Sequence, residues 1–358
     1  MAGRLRQIGQ PFPFNCVYNR NYADRLAEND VKRIPKELLI MLADGRFHSG
    51  DALGKALGIS RAAVWKQLQK LEEMQLQLES VKGKGYRLRH GLDFLDSAKI
   101  AGFTPGVKEQ NIVIHDELDS SNAELLRIMQ QSKLSSGHCI LTEMQHSGRG
   151  RRGRQWLSPY GCNIYLSMLW RFERGMAALD GLSLVVGLAV AKSVYQVLAL
   201  DVQLKWPNDV LYRQRKLAGI LLEVVGDPNG LCDVVIGIGV NVNWARQGQG
   251  QAAVPINQPW TSLLEINGNT TDRNHLTGVL IERLERYLTD FDRHGFLPFA
   301  DAWAEHDAYR NSEVMLELGE RHIYGLAAGV NNKGELLIET EAGQQAFNAG
   351  EVSLRLAL

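Results

Sequence analysis

The sequence has no excess of charge of either sign: 40 Lys plus Arg face 40 Asp plus Glu. No global field therefore announces a polyanion, and any contact with nucleic acid has to come from a local patch. Cysteine is scarce. Cys16, Cys139, Cys162 and Cys232 lie far apart and form no C-x-x-C pair, which argues against a zinc knuckle or a disulfide framework and fits a reducing, cytoplasmic compartment. The start lacks an apolar segment before a small-residue cleavage site and reads poorly as a secretory signal. Only residues 181–200, GLSLVVGLAVAKSVYQVLAL, approach the roughly 20 apolar residues of a membrane span. Lys192 in the middle, with Ser183, Ser193 and Gln196 nearby and no flanking basic cluster, makes that run a buried core helix instead. Internal repeats and low-complexity tracts are also missing.

What is present falls into blocks, and 358 residues suffice for more than one domain with a real core. Residues 1–34, with Pro11, Pro13 and no sustained apolar period, read as an irregular extension. From Pro35 the pattern is helical. PKELLIMLADG forms a first helix stopped at Gly45, SGDALGKALGIS a second closed by Gly58, and Ser60 caps a third, RAAVWKQLQKLEEM. Val64, Leu68 and Leu71 share the inner face of that third helix, which turns Arg61, Trp65, Lys66, Gln69 and Lys70 to solvent. LQLESV and YRLRH then read as two strands joined by a glycine turn carrying Lys82 and Lys84. The block 35–91 is thus a winged helix-turn-helix. Over 92–307, strand-like runs alternate with helical ones at 121–131, 181–200 and 273–306, giving a mixed α/β or α+β domain. Residues 308–358 are short alternating strands with glycine turns, suited to a small barrel.

The segment GRGRRG, residues 148–153, fits G-x-G-x-x-G. A dinucleotide site requires a helix straight after the loop, but Pro159 and Gly161 forbid one here; a Walker A loop fails because no Gly-Lys-Ser/Thr follows. The glycines allow close backbone approach, and Arg149, Arg151, Arg152 and Arg154 supply planar donors for carboxylate or phosphate. The loop therefore suits an anionic small molecule, or two anions that must be brought together. In KWPND, Lys205 ends a strand, with Asn208 and Asp209 at the turn and Lys216 opening the next strand; turn chemistry alone explains these residues equally well. Ser120, Ser121 and Asn122 either cap the following helix or present polar groups to an uncharged ligand head.

Behind a helix-turn-helix with a KGKGY wing, the motifs DSSN, Q-x-x-GRGRRGRxW, KWPND, KLAGILLE and GIGVNVN occur in this order. Together they resemble the bacterial bifunctional biotin protein ligases and biotin operon repressors, over roughly residues 36–358. The resemblance implies an α+β multidomain fold: an N-terminal winged helix-turn-helix, a central biotin/lipoate ligase domain of class II synthetase type, and a C-terminal SH3-like barrel. It implies an enzyme that joins biotin and ATP, with Mg²⁺, into biotinyl-5′-adenylate and passes biotin to a lysine of the biotin carboxyl carrier protein of acetyl-CoA carboxylase. It further implies a ligand-promoted homodimer that binds the biotin operator, with the adenylate as co-repressor.

By matching, Arg149, Arg151 and Lys205 are the catalytic cations. Ser120, Ser121, Asn122 and Gln145, with Arg149, Gly150, Arg151 and Lys205, hold biotin. Arg152, Asn208, Lys216, Gly219, Asn241 and Trp260 face the nucleotide. Where the family has Asp-Ser-Thr-Asn this chain has Ser121 in third place, which keeps the hydroxyl and loses a methyl. Residues 244–259 resemble an adenine-covering loop ending at Trp260, and its ordering with the arginine loop is expected to build the dimer surface. Ser60, Arg61, Trp65, Lys66, Gln69, Lys82 and Lys84 are the expected DNA contacts, with Trp65 either wedged against DNA or packed on Val81. The alternatives are a pure small-acid sensor and a lipoate or octanoate ligase. The complete cation set argues against the first, and the arginine loop with the winged helix favours biotin over the second.

Overall fold

The computed structural model describes residues 35–357 except 75, 174, 176–178, 227–229, 246–257 and 351. The extension expected at 1–34 and most of the loop at 244–259 lie outside the described residues.

Helices α1 (Lys36–Leu42), α2 (Gly50–Leu57) and α3 (Arg61–Glu73) open the fold. Ser49 caps α2 by accepting from the Ala52 N–H, Gly58 ends it in the left-handed region, and Ser60 starts α3 by accepting from the Ala63 N–H at 3.2 Å. Val64, Leu68 and Leu71 are buried on the inner face of α3. Trp65 on the outer face is 50% exposed and Val81 40%, so neither buries the other. The wing is the hairpin of β1 (Leu78–Val81) and β2 (Gly85–Leu88), and Tyr86 exchanges two backbone hydrogen bonds with His48. A Cβ at Gly85, whose φ is +102°, would run into the His48 carbonyl, so glycine is what lets these backbones meet. The core of this unit contains Leu38, Leu42, Leu53 and the inner face of α3, but also Tyr160, far along the chain and 2% exposed.

The central sheet has seven strands: β3 (Ile112–Leu118), β4 (Cys139–Gln145), β5 (Ile164–Phe172), β6 (Gln203–Lys205), β7 (Asp209–Tyr212), β8 (Arg215–Gly226) and β9 (Cys232–Val240). Their order is β3-β4-β5-β9-β8-β7-β6. Only β3 and β4 are parallel, which requires a crossover, supplied by α5 (Ser121–Gln131); α4 (Ser97–Gly102) precedes β3. The apolar run at 181–200 is α6 (Leu182–Leu198), buried along most of its length between sheet and α8 (Arg273–His294). Each fully buried Leu or Val there stabilises the fold by roughly 1.5–3 kcal/mol. Among the described residues no helix is long and apolar enough to cross a membrane. Short helices α7 (Leu263–Asn267) and α9 (Ala300–Ala304) complete this part. The C-terminal unit is all antiparallel: β10 (Glu313–Leu318), β11 (Arg321–Val330), β12 (Leu336–Thr340), β13 (Gly343–Phe347) and β14 (Val352–Leu356), in the order β13-β12-β11-β10-β14.

A buried ionic clamp fixes the segment that leads from the wing into the sheet. Arg273, at the start of α8, pairs with Glu143 at 2.8 Å, both almost fully buried, and also donates to the carbonyls of Asn163 and Asp93. Glu143 accepts from the Leu95 N–H at 2.7 Å, and Asn274 accepts from the Asp96 N–H and donates to the Phe94 carbonyl.

Candidate active site

A cleft of about 970 Å³ opens over the ends of β8 and β9, and the arginine loop, the KWPND hairpin, the first turn of α5, Trp260 and β14 all line it. One end is polar and uncharged. Ser120 caps α5, and Ser121 donates from both N–H and hydroxyl to Gln145 Oε1, at 3.0 and 3.1 Å. Gln145 in turn donates to Ser158 Oγ at 3.0 Å. Burial alone would raise the Asp119 carboxyl, but the two bonds from Arg127, with the Ser120 N–H, outweigh it and hold the group below the usual carboxylate range. A permanent anion thus supports the turn from below. Gly237 and Gly239 on β9 form the floor, because a Cβ there would collide with Asn122 and with the Trp156 ring respectively.

The other end is cationic. The arginine loop closes on itself, with Trp156 N–H donating to the Gly148 carbonyl and Gly150 N–H to the Arg154 carbonyl. A single 3-10 turn, Arg151–Gly153, forms its tip, with Arg152 at φ 57°. Arg149 reaches Glu223 on β8 at 2.9 Å, Arg152 lies 3.9 Å from Glu317, and Arg151 donates to Asn208 Oδ1 and to the carbonyls of Ala349 and Gly350. The loop therefore ties the central sheet to the C-terminal unit. Burial pulls the Arg151 guanidinium below its ordinary range.

Lys205 sits at the end of β6 with its ammonium 5.6 Å from the Tyr309 ring centre; burial lowers its pKa, and Asp209 opposes that only in part. Lys216 pairs with Asp209 at 2.7 Å and lies over the Trp156 ring. Trp206 anchors the hairpin by donating to the Gly334 carbonyl, and Asn208 by donating to the Ile220 carbonyl. Trp260 stacks on Trp244 at 4.2 Å with 14° between planes, and Asn241 holds the Thr261 carbonyl beside them.

Every residue that the sequence nominated for biotin or nucleotide lines this one cleft. The expected DNA contacts on α3 and the wing are exposed on the winged helix-turn-helix. Sequence reasoning passed over Trp156, Trp244, Glu223 and Arg355, and noted Asp209 only as a turn residue. Trp156 and Glu223 stand inside quoted motifs, but nothing local marks them as wall and tether; Arg355 is brought in by β14 with no sequence signal at all.

A cleft with a neutral polar end and a cationic end suits the class of enzymes that activate a carboxylic acid with a nucleotide. Comparison with known proteins agrees. The Biotin/lipoate A/B protein ligase family matches residues 116–241, an HTH domain 36–87 and the Biotin protein ligase C terminal domain 310–355. The bifunctional ligase/repressor BirA of Escherichia coli is 39% identical over 90% of this chain and 98% of its own, and that of Bacillus subtilis 29% identical over 88% and 96%. The biotin protein ligase of Aquifex aeolicus, solved in complex with biotin and ATP, is 32% identical with a TM-score of 0.59 over 69% of this chain and all of its own. The chain belongs to the biotin protein ligase family, in its bifunctional ligase/repressor branch.

Proposed function

We propose that the protein joins biotin to ATP and passes the biotinyl group to a lysine of the biotin carboxyl carrier protein of acetyl-CoA carboxylase, and that with the adenylate bound it represses the biotin operon. The observation that carries this reading is the single cleft holding the neutral Ser121, Asn122 and Gln145 set at one end and Arg149, Arg151 and Lys205 at the other. Biotin's uncharged ureido head suits the first and its carboxylate the second. The carboxylate oxygen attacks the α-phosphorus of ATP, and the bond to the β-phosphate bridging oxygen breaks with release of pyrophosphate. Two anions meet in that step, so the cations hold both and stabilise the charge that develops. No side-chain nucleophile is required. The carrier lysine, as free amine, then attacks the acyl carbon; AMP leaves, and the amine's proton goes to solvent. Arg152, Asn208, Lys216, Gly219, Asn241 and Trp260 take the nucleotide. Mg²⁺, when bound, would neutralise charge on the phosphates; among the described residues lining the cleft Asp209 is the one carboxylate and it is paired with Lys216, so the ion suits a partner that would enter with ATP.

The test is to mix protein, biotin and Mg-ATP, follow pyrophosphate release, then add the carrier domain and weigh it. Pyrophosphate release that needs both substrates, with a gain of one biotinyl mass, is the expected result; inactivity with biotin and activity with lipoate would overturn it.

Lys205 sets a pH dependence. Burial lowers the pKa of its ammonium, so the catalytic charge is lost as pH rises at a lower pH than the roughly 10.4 of a free lysine. The rate of adenylate formation is expected to fall on the alkaline side below that value. Lys205→Arg, which stays charged, removes the alkaline limb; a wild-type profile flat to about pH 10.4 contradicts the assignment.

On the DNA side, Arg61, Lys66 and Gln69, with Ser60 and Trp65, face the major groove and phosphates, and Lys82 and Lys84 on the wing meet the backbone. Lys82→Ala and Lys84→Ala are each expected to weaken operator binding evenly across sequences and to reduce the salt slope by about one. Anisotropy titrations at several salt concentrations check this, with pyrophosphate release unchanged. Ligand-promoted dimerisation is tested by sedimentation with and without the adenylate; an unchanged monomer fraction removes that link.

A further inference from the structure

One carboxylate at the edge of the cleft is used by neither half of the chemistry above. Glu223 lies on β8, one quarter exposed, and a single oxygen, Oε2, accepts from two donors: Asn122 Nδ2 at 2.7 Å and Arg149 Nη2 at 2.9 Å. Asn122 comes from the first turn of α5, on the floor of the polar end, where its other amide atom lies against Ser167 Oγ. Arg149 comes from the root of the arginine loop, whose two strands are joined by the Arg149–Gln155 bridge. Two elements that belong to opposite ends of the cleft therefore meet on one atom.

We infer that Glu223 is a positioning residue of the ligase reaction, whose one oxygen sets the root of the arginine loop and the amide of the polar pocket together. The inference rests on the ligase reading for its consequence but not for its geometry. Physically, a carboxylate is acceptor-only, so it fixes which end of the Asn122 amide points at it and leaves the carbonyl end for Ser167. The same oxygen holds the guanidinium by a charge-assisted bond. Arg149 cannot swing away from the sheet without leaving Asn122 as the only donor to Glu223, so occupancy of the polar pocket and placement of the loop are coupled through one side chain. A substrate entering the cleft then meets a loop root already in place, and less ordering remains for the binding step.

The test begins with the loop rather than with activity. Limited trypsin digestion of the intact protein, read by mass spectrometry at Arg151 and Arg152, is expected to run about fivefold faster in Glu223→Gln than in wild type, the ratio a partly exposed ion pair supports. Arg149→Ala removes the same bond from the loop side and is expected to accelerate those cuts equally, which keeps the comparison decisive if the sheet-side variant folds poorly. In biotin-dependent pyrophosphate release, Glu223→Gln is expected to raise the KM for biotin about fivefold with kcat within about twofold, the pattern of lost ground-state placement. Adding Glu223→Gln to Arg149→Ala should not change the cutting rate further, since both remove the same loop bond, while the KM for biotin should still rise through the loss at Asn122. Unchanged cleavage in both variants, or cutting effects that simply add, overturns the inference. A wild-type protein that consumes neither biotin nor ATP sinks the ligase reading instead, and the digestion still decides whether Glu223 holds the loop.

Discussion

Lys205→Met is expected to slow pyrophosphate release from biotin and ATP by about a hundred- to a thousandfold, the range seen when one preorganised donor at a developing charge is removed. The size follows from where the lysine sits. Its ammonium is partly buried beside the Tyr309 ring, at the end of β6 in the hairpin that Trp206 anchors, where it is placed as a fixed donor facing the cleft. Lys216, the next nearest cation on the hairpin, is committed to Asp209. Rapid-quench measurement of adenylate formation separates this step from transfer to the carrier. A loss in transfer alone, with adenylate formation intact, would move Lys205 out of the first step. Biotin binding is expected to weaken far less than the rate, because the carboxylate keeps Arg149.

Arg273→Met is expected to destabilise the protein by about 3–5 kcal/mol, the cost of leaving a buried carboxylate without its partner. Arg273 and Glu143 are 0% and 2% exposed, and removing the guanidinium also strips the carbonyls of Asn163 and Asp93 of a donor. Denaturant titration measures the loss. Arg273→Met combined with Glu143→Leu is expected to recover much of it, since an apolar pair of similar volume tolerates burial where a lone charge does not. If the single variant unfolds within about 1 kcal/mol of wild type, water reaches Glu143 and the clamp is not what fixes the segment at 93–96.

These two sites differ in how they could be read beforehand. Lys205, the arginine loop and the DSSN turn are short stretches whose residue types already state a chemistry, and Pro159 and Gly161 excluded a helix straight after the loop before any fold was known. The strands and the buried helix at 181–200 were legible for a similar reason, since their periodicity is local. Arg273 was not legible. It stands in a helical, partly polar segment and gains its role from Glu143, Asn163 and Asp93, none of which is near it in sequence. The same holds for Glu223, which reads as the last polar residue of a strand motif until Arg149 and Asn122 converge on it. Arg151 shows the limit in another way: its residue type suggests anions to hold, and the fold also sets it against the carbonyls of Ala349 and Gly350, so its loop is joined to β14's approach as well as to the cleft.

Tyr160 has a consequence for how such a chain can be divided or inherited. Its ring completes the core formed by Leu38, Leu42, Leu68 and Leu71, yet it follows the arginine loop directly, in the segment that begins with the cleft wall Trp156. A gene fragment ending at residue 91 would encode a DNA-reading unit with an aromatic-sized gap, and losing a buried aromatic costs about 3–5 kcal/mol, comparable to all the stability a unit of that size commands. Recombination at the linker therefore exchanges less than a whole module: a repressor half transplanted onto a foreign enzyme has to bring, or find there, the ring that closes it.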